Sequence, residues 1–160
     1  MTILYGWLVF GTSNFINPVI AVNAQTHKPV SMSYIEQQAD LRVAELNLVS
    51  VTRNDSKKEI RIQVLILVKN TGTAACGPFQ ISGYYQPGNT QKETRCRESI
   101  EVTGLAPGAS FVKVYIFNEP ESVFREPFFS FRIKADAGDR LSEKSKQNNY
   151  SDWLRLQKPL

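Results

Sequence analysis

Histidine and cysteine are scarce in this chain, which has a single histidine, His27, and two cysteines among 160 residues. Nucleophilic catalysis of the Ser-His-Asp or Cys-His kind needs a positioned imidazole base. A structural zinc site usually needs four Cys or His ligands. No glycine-rich loop opens a predicted helix to hold a phosphate group. The sequence therefore predicts no catalytic residues and no zinc or phosphate-bearing cofactor.

A strong charge excess and a long uninterrupted apolar run are also missing. The formal charge is +4, and the basic pairs lie in separate predicted loops and strands, so we expect no nucleic-acid partner. Residues 1–24 carry no charged side chain, but Asn14, Asn17 and Pro18 interrupt their apolar stretch. A membrane span needs about 20 consecutive apolar residues. We expect no stable insertion into a membrane once a signal peptide is removed.

The first 24 residues instead have the pattern of a secretory signal peptide. Ile3 to Phe10 form a short apolar run, and Val22 and Ala24 suit positions minus three and minus one of a signal-peptidase site. We predict a signal peptide at 1–24, a flexible lead-in at 25–38 and one domain at 39–160. The alternative is an N-terminal strand with a ragged tail. Export would place the protein in the periplasm, on the cell surface or outside the cell.

The centre of the sequence alternates with the period of a β-strand. Every even-numbered residue from Ile60 to Val68 is apolar, and Leu65 and Leu67 make the strand apolar on both faces. Such a strand needs a second sheet over one face and a pairing partner on each edge. About six more short strands follow or precede it between turn residues, with no convincing amphipathic helix. This pattern predicts an all-β, seven-stranded antiparallel sandwich of the immunoglobulin-like or fibronectin-III-like kind.

Three motifs, in order and at their spacing, resemble the CARDB domain, a bacterial and archaeal module named for a proposed link to cell adhesion. They are the turn from Val68 to Ala74, the turn from Gly104 to Gly108, and the loop from Ala135 to Asn149. The resemblance covers roughly residues 39–156. It implies an extracytoplasmic seven-stranded sandwich that serves as a spacer or binding module in larger surface proteins and secreted enzymes.

Each of these motifs also has a physical interpretation. In the first turn, Asn70 and Gly72 are expected to supply positive φ angles, and Pro107-Gly108 is expected to return the chain to the opposite sheet. Short polar side chains in the third motif should satisfy backbone groups of the loop.

Two groups of side chains are candidates for binding. Oxygen-bearing residues in one loop offer the ligands that calcium prefers, although their spacing is not that of an EF-hand and capping of the loop is the alternative. They are Asp136, Asp139, Glu143, Asn148 and Asn149. Aromatic residues on strand faces could stack on sugars or anchor a protein partner, and burial in the core explains them equally well. They are Tyr84, Tyr85 and Trp153.

The two cysteines, Cys76 and Cys96, are predicted to form a disulfide. An exported chain meets an oxidising compartment, where an even number of cysteines is expected to pair. Hairpin pairing of the third and fourth strands could bring their Cα atoms within the ~4.4 to 6.8 Å that a disulfide needs. Two buried thiols acting as small apolar groups are the alternative.

Two hypotheses for function follow. The first is an exported, non-catalytic binding or adhesion module of the cell envelope that recognises a protein or glycan, which predicts an exposed aromatic or apolar patch. The second is a structural accessory domain that pairs with a larger envelope protein through an edge strand, Thr94 to Val102, whose polarity suggests an edge position.

Overall fold

Two antiparallel sheets form the fold in a computed structural model that describes residues 37–159. The three-stranded sheet has the order β1-β2-β5, and the four-stranded sheet has the order β4-β3-β6-β7. The strands are β1 (Leu41–Asn54), β2 (Glu59–Asn70), β3 (Phe79–Pro87), β4 (Thr94–Val102), β5 (Ser110–Pro120), β6 (Phe128–Lys134) and β7 (Leu154–Gln157). One 3-10 turn, Glu121–Val123, lies between β5 and β6. The predicted seven-stranded sandwich is confirmed. The predicted signal peptide and most of the predicted lead-in lie outside the described residues.

Strand β2 has the central place that its alternation predicted, because β1 pairs with one of its edges and β5 with the other. Its even-numbered residues from Ile60 to Val68 are fully buried between the sheets. The register of β1 against β2 shifts between Val43 and Glu45, where the sequence breaks phase, as a β-bulge does. A second shift lies between Leu48 and Ser50.

Aromatic rings supply much of the core between the sheets. Phe117 of β5 contacts Phe131 of β6 across the sandwich at 5.4 Å between ring centroids, and Phe124 lies 4.4 Å from Phe129. All four side chains are at most 1% exposed. Removing a ring of this kind from a core typically costs about 3 to 5 kcal/mol, so these contacts fix how the two sheets sit on each other.

Asn70 has a different role from the one predicted. It does not adopt a positive φ, nor does Gly72. The Asn70 side chain is fully buried; its Oδ1 accepts from the amides of Asp40 and Gly72, and its Nδ2 donates to the carbonyls of Ala74 and Leu105. All four of its hydrogen-bonding positions are used. Asn70 therefore ties β1, the turn after β2 and the connection between the sheets together.

The glycines of the turns are required for two different reasons. A Cβ at Gly72 would collide with the backbone of Gln38 and Ala39, so this glycine permits a close approach of two chain segments. Gly108 has φ +74°, which agrees with the predicted turn that returns the chain from β4 to β5 in the other sheet.

Candidate binding surfaces

The outer face of the three-stranded sheet is apolar at its centre. The register sets Leu67 opposite Val112, Leu65 opposite Val114 and Gln63 opposite Ile116. Val112 is 59% exposed and Val114 is 48% exposed, whereas Leu65, Leu67 and Ile116 are half-buried. We call the set Leu65, Leu67, Val112, Val114 and Ile116 the apolar face. It is uncovered because the second sheet packs against the opposite side of β2 and β5.

Cations lie at both ends of the apolar face. Arg42 is opposite Lys69 at one end. At the other end, Arg61 lies on β2 two residues before Gln63. All three are exposed, and among the described residues none of them is in an ion pair. One acid, Glu45, lies on β1 opposite Leu67. Further acids lie beside these cations, because Arg42 shares a groove with Asp40, Glu45 and Asp152, and Arg61 shares a recess with Glu59 and Glu98.

The outer face of the four-stranded sheet is built differently. The guanidinium of Arg132 lies 4.3 Å from the ring centroids of both Tyr150 and Trp153. Its Nε also donates to Glu93 at 3.2 Å. The rings of Tyr84 and Tyr150 are 6.5 Å apart. This surface is a polar stack in which the aromatic rings already contact a protein cation.

The three candidate aromatic residues therefore divide between the surface and the core. Tyr84 and Trp153 are half-buried at the outer face of the four-stranded sheet. The structure corrects the prediction for Tyr85, which is a core residue. It is 4% exposed, and its ring centroid lies 5.1 Å from that of Phe124. Successive side chains of a strand point to opposite faces, so only one of two adjacent tyrosines can reach the surface.

The loop between β6 and β7 uses its acids as hydrogen-bond acceptors. Asp136 is 1% exposed and has φ +45°. Its carboxylate accepts from the amides of Arg140 and Leu141 and from Lys146 Nζ at 3.1 Å. Asp139 accepts from Lys134 Nζ at 2.7 Å, and this bond lowers the pKa of Asp139. The arrangement matches the predicted capping of the loop.

Glu143, Asn148 and Asn149 lie in a second part of the same loop. Glu143 accepts from the amide of Leu41 and from Asn149 Nδ2, and burial raises the pKa of its carboxyl. The side-chain oxygens of Asn148 and Asn149 are buried without a partner. These are the two buried side-chain oxygens of the five-residue set that have no hydrogen-bond donor.

The acids of the loop already have partners within the domain. Lysines already neutralise Asp136 and Asp139, and residues 37–159 contain no group of three or more His, Cys, Asp or Glu side chains that could hold a metal.

Calcium binding by this loop stays a prediction. Melting curves with millimolar calcium and with chelator test it, because an ion that binds only the folded state must raise the melting temperature. A rise that disappears in Asp136→Ala would establish calcium binding at the loop; equal curves would leave capping as its role.

The predicted disulfide is not formed in the part of the chain that the structure describes, where both cysteines are free and buried. Cys76 pairs with Leu105 before β3 begins, whereas the Cys96 thiol lies against Gly83 near the middle of β3. Seven residues separate positions 76 and 83, or roughly 20 Å of extended chain, and a disulfide tolerates only ~4.4 to 6.8 Å between Cα atoms. The register of the β3–β4 hairpin therefore places Cys76 and Cys96 too far apart for the predicted disulfide.

Both thiols are unreactive by environment. Burial raises the pKa of the Cys76 thiol. Burial, together with the neighbouring carboxyl of Glu119, raises that of Cys96 far more. Since the thiolate is the nucleophilic form, neither cysteine is poised for catalysis.

Strand β4 is an edge strand, as its polarity predicted. Its edge is partly covered by β5 of the other sheet. The amide of Arg97 donates to Glu119 Oε1 at 2.7 Å, the Arg97 guanidinium donates to the carbonyl of Asn118, and Asn118 Nδ2 donates to Glu98. Glu119 is 2% exposed, and burial raises the pKa of its carboxyl against the opposing effect of Arg97. Side chains thus close this flank of the sandwich.

A polar groove lies on the other flank, between the start of β1 and the chain before β7. It is open and has a volume of about 600 Å³. The groove is lined by Asp40, Glu45, Asn148 and Asp152 together with Arg42.

Within residues 37–159 no helix is long and apolar enough to cross a membrane.

Sequence reasoning missed the two features that distinguish the outer faces. The sequence shows apolar residues on both sides of β2 and β5, but it does not indicate which side stays uncovered. The sequence carries no sign of the contact between Tyr150 and Arg132, because the two residues are 18 positions apart and meet only through the strand register. Alternation within a strand assigns side chains to a face, and pairing between strands decides their neighbours.

The fold defines the class of this protein: an antiparallel seven-stranded β-sandwich of immunoglobulin-like type with one uncovered apolar face. Within that class, the family model CARDB matches residues 38–152, and the chain belongs to this family. The resemblance inferred from the three motifs is confirmed, and with it a relation to modules named for cell adhesion.

Two solved structures are similar to this chain at low sequence identity. The crystal structure of the CARDB domain of the PF1109 protein from Pyrococcus furiosus, in complex with di-metal ions, is 20% identical with a TM-score of 0.48; the match covers 76% of this chain and 90% of that one. A GH3 β-glucosidase from Bifidobacterium adolescentis is 12% identical with a TM-score of 0.49, over 75% of this chain and 17% of that one. No curated protein sequence matches this chain.

Proposed function

We propose that this protein is an exported, non-catalytic binding or adhesion module of the cell envelope that recognises a protein or glycan at the cell surface. Family membership supports an adhesion-related role. The uncharged N-terminal segment with its Val22-Asn23-Ala24 site supports export.

The apolar face is the observation that carries this proposal. Val112 and Val114 are about half exposed on a strand whose inner residues, such as Phe117, are fully buried. Soluble domains rarely expose contiguous apolar patches larger than a few hundred Å², and patches of that kind mark interaction sites. Folding gains little from these valines, whereas a partner that covered them would gain the free energy of their burial.

The chemistry of the described residues supports a role without catalysis. Both thiols have raised pKa values and lie in the core. The acids of the loop after β6 are neutralised by lysines or bonded to amides. A nucleophile needs a neighbouring base that activates it, and residues 37–159 contain no histidine.

Binding of the purified domain to envelope preparations of the native host tests the function. We expect saturable binding that the double variant Val112→Ser, Val114→Ser abolishes. The matched control is Glu101→Ser on the outer face of the other sheet, which should bind normally. Loss of binding in Trp153→Ala with retention in the valine variant would transfer the function to the aromatic face and favour a glycan. An absence of saturable binding would refute the proposal.

Export has its own test. Intact mass of the protein recovered from the native host should correspond to a chain that begins at Gln25. Cytoplasmic material that retains Met1 would remove the argument for export without affecting the binding measurement.

The alternative is a structural accessory domain that pairs with a larger envelope protein through β4. The edge position of β4 supports it, while the bond from the Arg97 amide to Glu119 leaves fewer groups free for an added strand. Hydrogen exchange of the β4 amides discriminates the two proposals. Protection of β4 on adding the envelope preparation, with no change in β5, would favour strand pairing.

A further inference from the structure

We propose that the groove between the start of β1 and the chain before β7 is a docking site for an extended, basic peptide segment of another protein, which adds to the sandwich as a further strand. This inference goes beyond the proposed function, because it concerns the flank of the domain and does not depend on the apolar face.

The groove follows the direction of β1. It is lined on one side by consecutive residues of this strand, from Arg42 to Leu46, and on the other side by residues 150–152 and Leu154. Five consecutive residues of a strand span about 16 Å at ~3.3 Å per residue. An open groove of about 600 Å³ with this outline accommodates an extended chain along its length.

The groove lies at the flank where β1 and β7 are the edge strands of their sheets. β1 pairs only with β2 in one sheet, and β7 pairs only with β6 in the other. At the opposite flank, side chains of β4 and β5 bond to each other. Here the Val43 amide donates to the Asn148 carbonyl at 3.0 Å, but the next residues, Ala44 and Glu45, are exposed. An unpaired strand edge offers main-chain donors and acceptors to an added strand.

The charged side chains that line the groove are mainly acidic. They are Asp40, Glu45 and Asp152, against one cation, Arg42. Within residues 37–159 none of the four is in an ion pair. Lys69 lies opposite Arg42 on β2 but does not line the groove. Basic side chains of an added strand would therefore face more carboxylates than cations, whereas an acidic segment would be repelled.

A second copy of this chain is a poorer occupant of the groove. The register of β1 shifts between Val43 and Glu45, within the stretch that lines the groove, and bulges of this kind deter pairing between two folded edge strands. A flexible segment can adapt its backbone to the bend of a bulged strand, because it becomes ordered only on binding. Pairing of two copies at this edge would also bring two mainly acidic surfaces together.

An NMR titration of the isotope-labelled full chain with a synthetic peptide tests the docking site. The probe is acetyl-Thr-Lys-Val-Lys-Thr-Lys-amide, in which alternation puts all three lysines on one face of a strand. We expect saturable chemical-shift changes confined to residues 42–46 and 150–154. The matched peptide with glutamate in place of each lysine should cause none.

Neutral variants then test the part played by the carboxylates. Glu45→Gln with Asp152→Asn should weaken binding of the lysine peptide about fivefold at low salt, because two exposed attractive contacts are lost. Glu101→Gln with Glu126→Gln makes the same charge change on exposed residues elsewhere and should leave affinity unchanged. Spectra that match the wild type away from the substitutions show that both variants are folded.

Backbone methylation separates strand addition from attraction between charges. Two further lysine peptides carry methyl groups on the odd or on the even backbone amides, and at least one of them should bind about tenfold more weakly, because it loses main-chain bonds to a strand edge. Undiminished binding of both methylated peptides would overturn strand addition.

Three other outcomes would also overturn the proposal. They are an absence of binding by the lysine peptide, equal binding by the glutamate peptide, and concentration-dependent shifts at the same residues without any peptide, which would assign the groove to a second copy of this chain. None of these outcomes bears on envelope binding through Val112 and Val114, so the proposed function stands or falls separately.

Discussion

The two outer faces of the sandwich differ in whether their large side chains contact other groups of the domain or solvent. On the four-stranded sheet, Arg132 fills the space between Tyr150 and Trp153, so the rings and the cation satisfy each other within the domain. On the three-stranded sheet, Val112 and Val114 contact solvent, and the neighbouring cations Arg61 and Lys69 have no acidic partner among the described residues. The aromatic rings of the first face thus have a partner within the domain, whereas the valines of the second face are left exposed to solvent.

The largest effect would come from Asn70, which holds the frame that supports both faces. Asn70→Ala would leave two part-buried amides and two part-buried carbonyls without their partners. We expect a loss of about 3 kcal/mol in the free energy of unfolding, measured by urea denaturation. The exposed amide of Asn47 provides the control, since Asn47→Ala should change stability by less than ~0.5 kcal/mol.

Removing the stacked arginine would test whether the four-stranded face is complete in itself. Arg132→Ala deletes two cation–π contacts and the bonds to Glu93, and we expect thermal and urea melts to show a loss of about 1 to 2 kcal/mol. Arg132→Lys keeps the charge without the planar group and should recover only part of this loss. A stability equal to that of the wild type in both variants would show that the stack is incidental.

Glu119 tests the flank where the two sheets meet. Burial raises its pKa in the folded protein, so its contribution favours the folded state below the ordinary pKa of a glutamate and is lost as pH rises through the raised value. The wild type should therefore lose stability relative to Glu119→Gln between pH 4.5 and pH 7. Urea denaturation at the two pH values measures this difference. A wild type that gains on the variant as pH rises would mean that the ion pair with Arg97 outweighs burial.

The smallest effect on stability is expected at the apolar face. Val112→Ser and Val114→Ser change exposed positions, and each should alter the free energy of unfolding by less than ~0.5 kcal/mol. The same changes are expected to abolish envelope binding, so their melting curves also show that loss of binding is not loss of folding. A large destabilisation would mean that the face contributes to the fold itself.

Strand alternation was enough to predict the architecture, because burial of the even-numbered residues of β2 requires a second layer. It did not predict which face of β2 is covered, since Leu65 and Leu67 are as apolar as their buried neighbours. The separation of Cys76 from Cys96 depends on the hairpin register, which a turn of uncertain length leaves open. The four bonds of Asn70 join groups up to 35 positions apart, and such convergence has no local pattern.

The first and last residues that the structure describes lie near opposite ends of β2. Gln38 is fixed beside the turn after β2, where its carbonyl accepts from the amides of Thr73 and Ala74. Lys158 is fixed near the start of β2, through the carbonyl of Pro127 and the carboxylate of Glu121. A pull applied between these two points runs along β1, whose hydrogen bonds to β2 lie across that direction. The β1–β2 ladder would then bear the load in shear, with its bonds strained together, whereas a pull across the strands would open them one at a time.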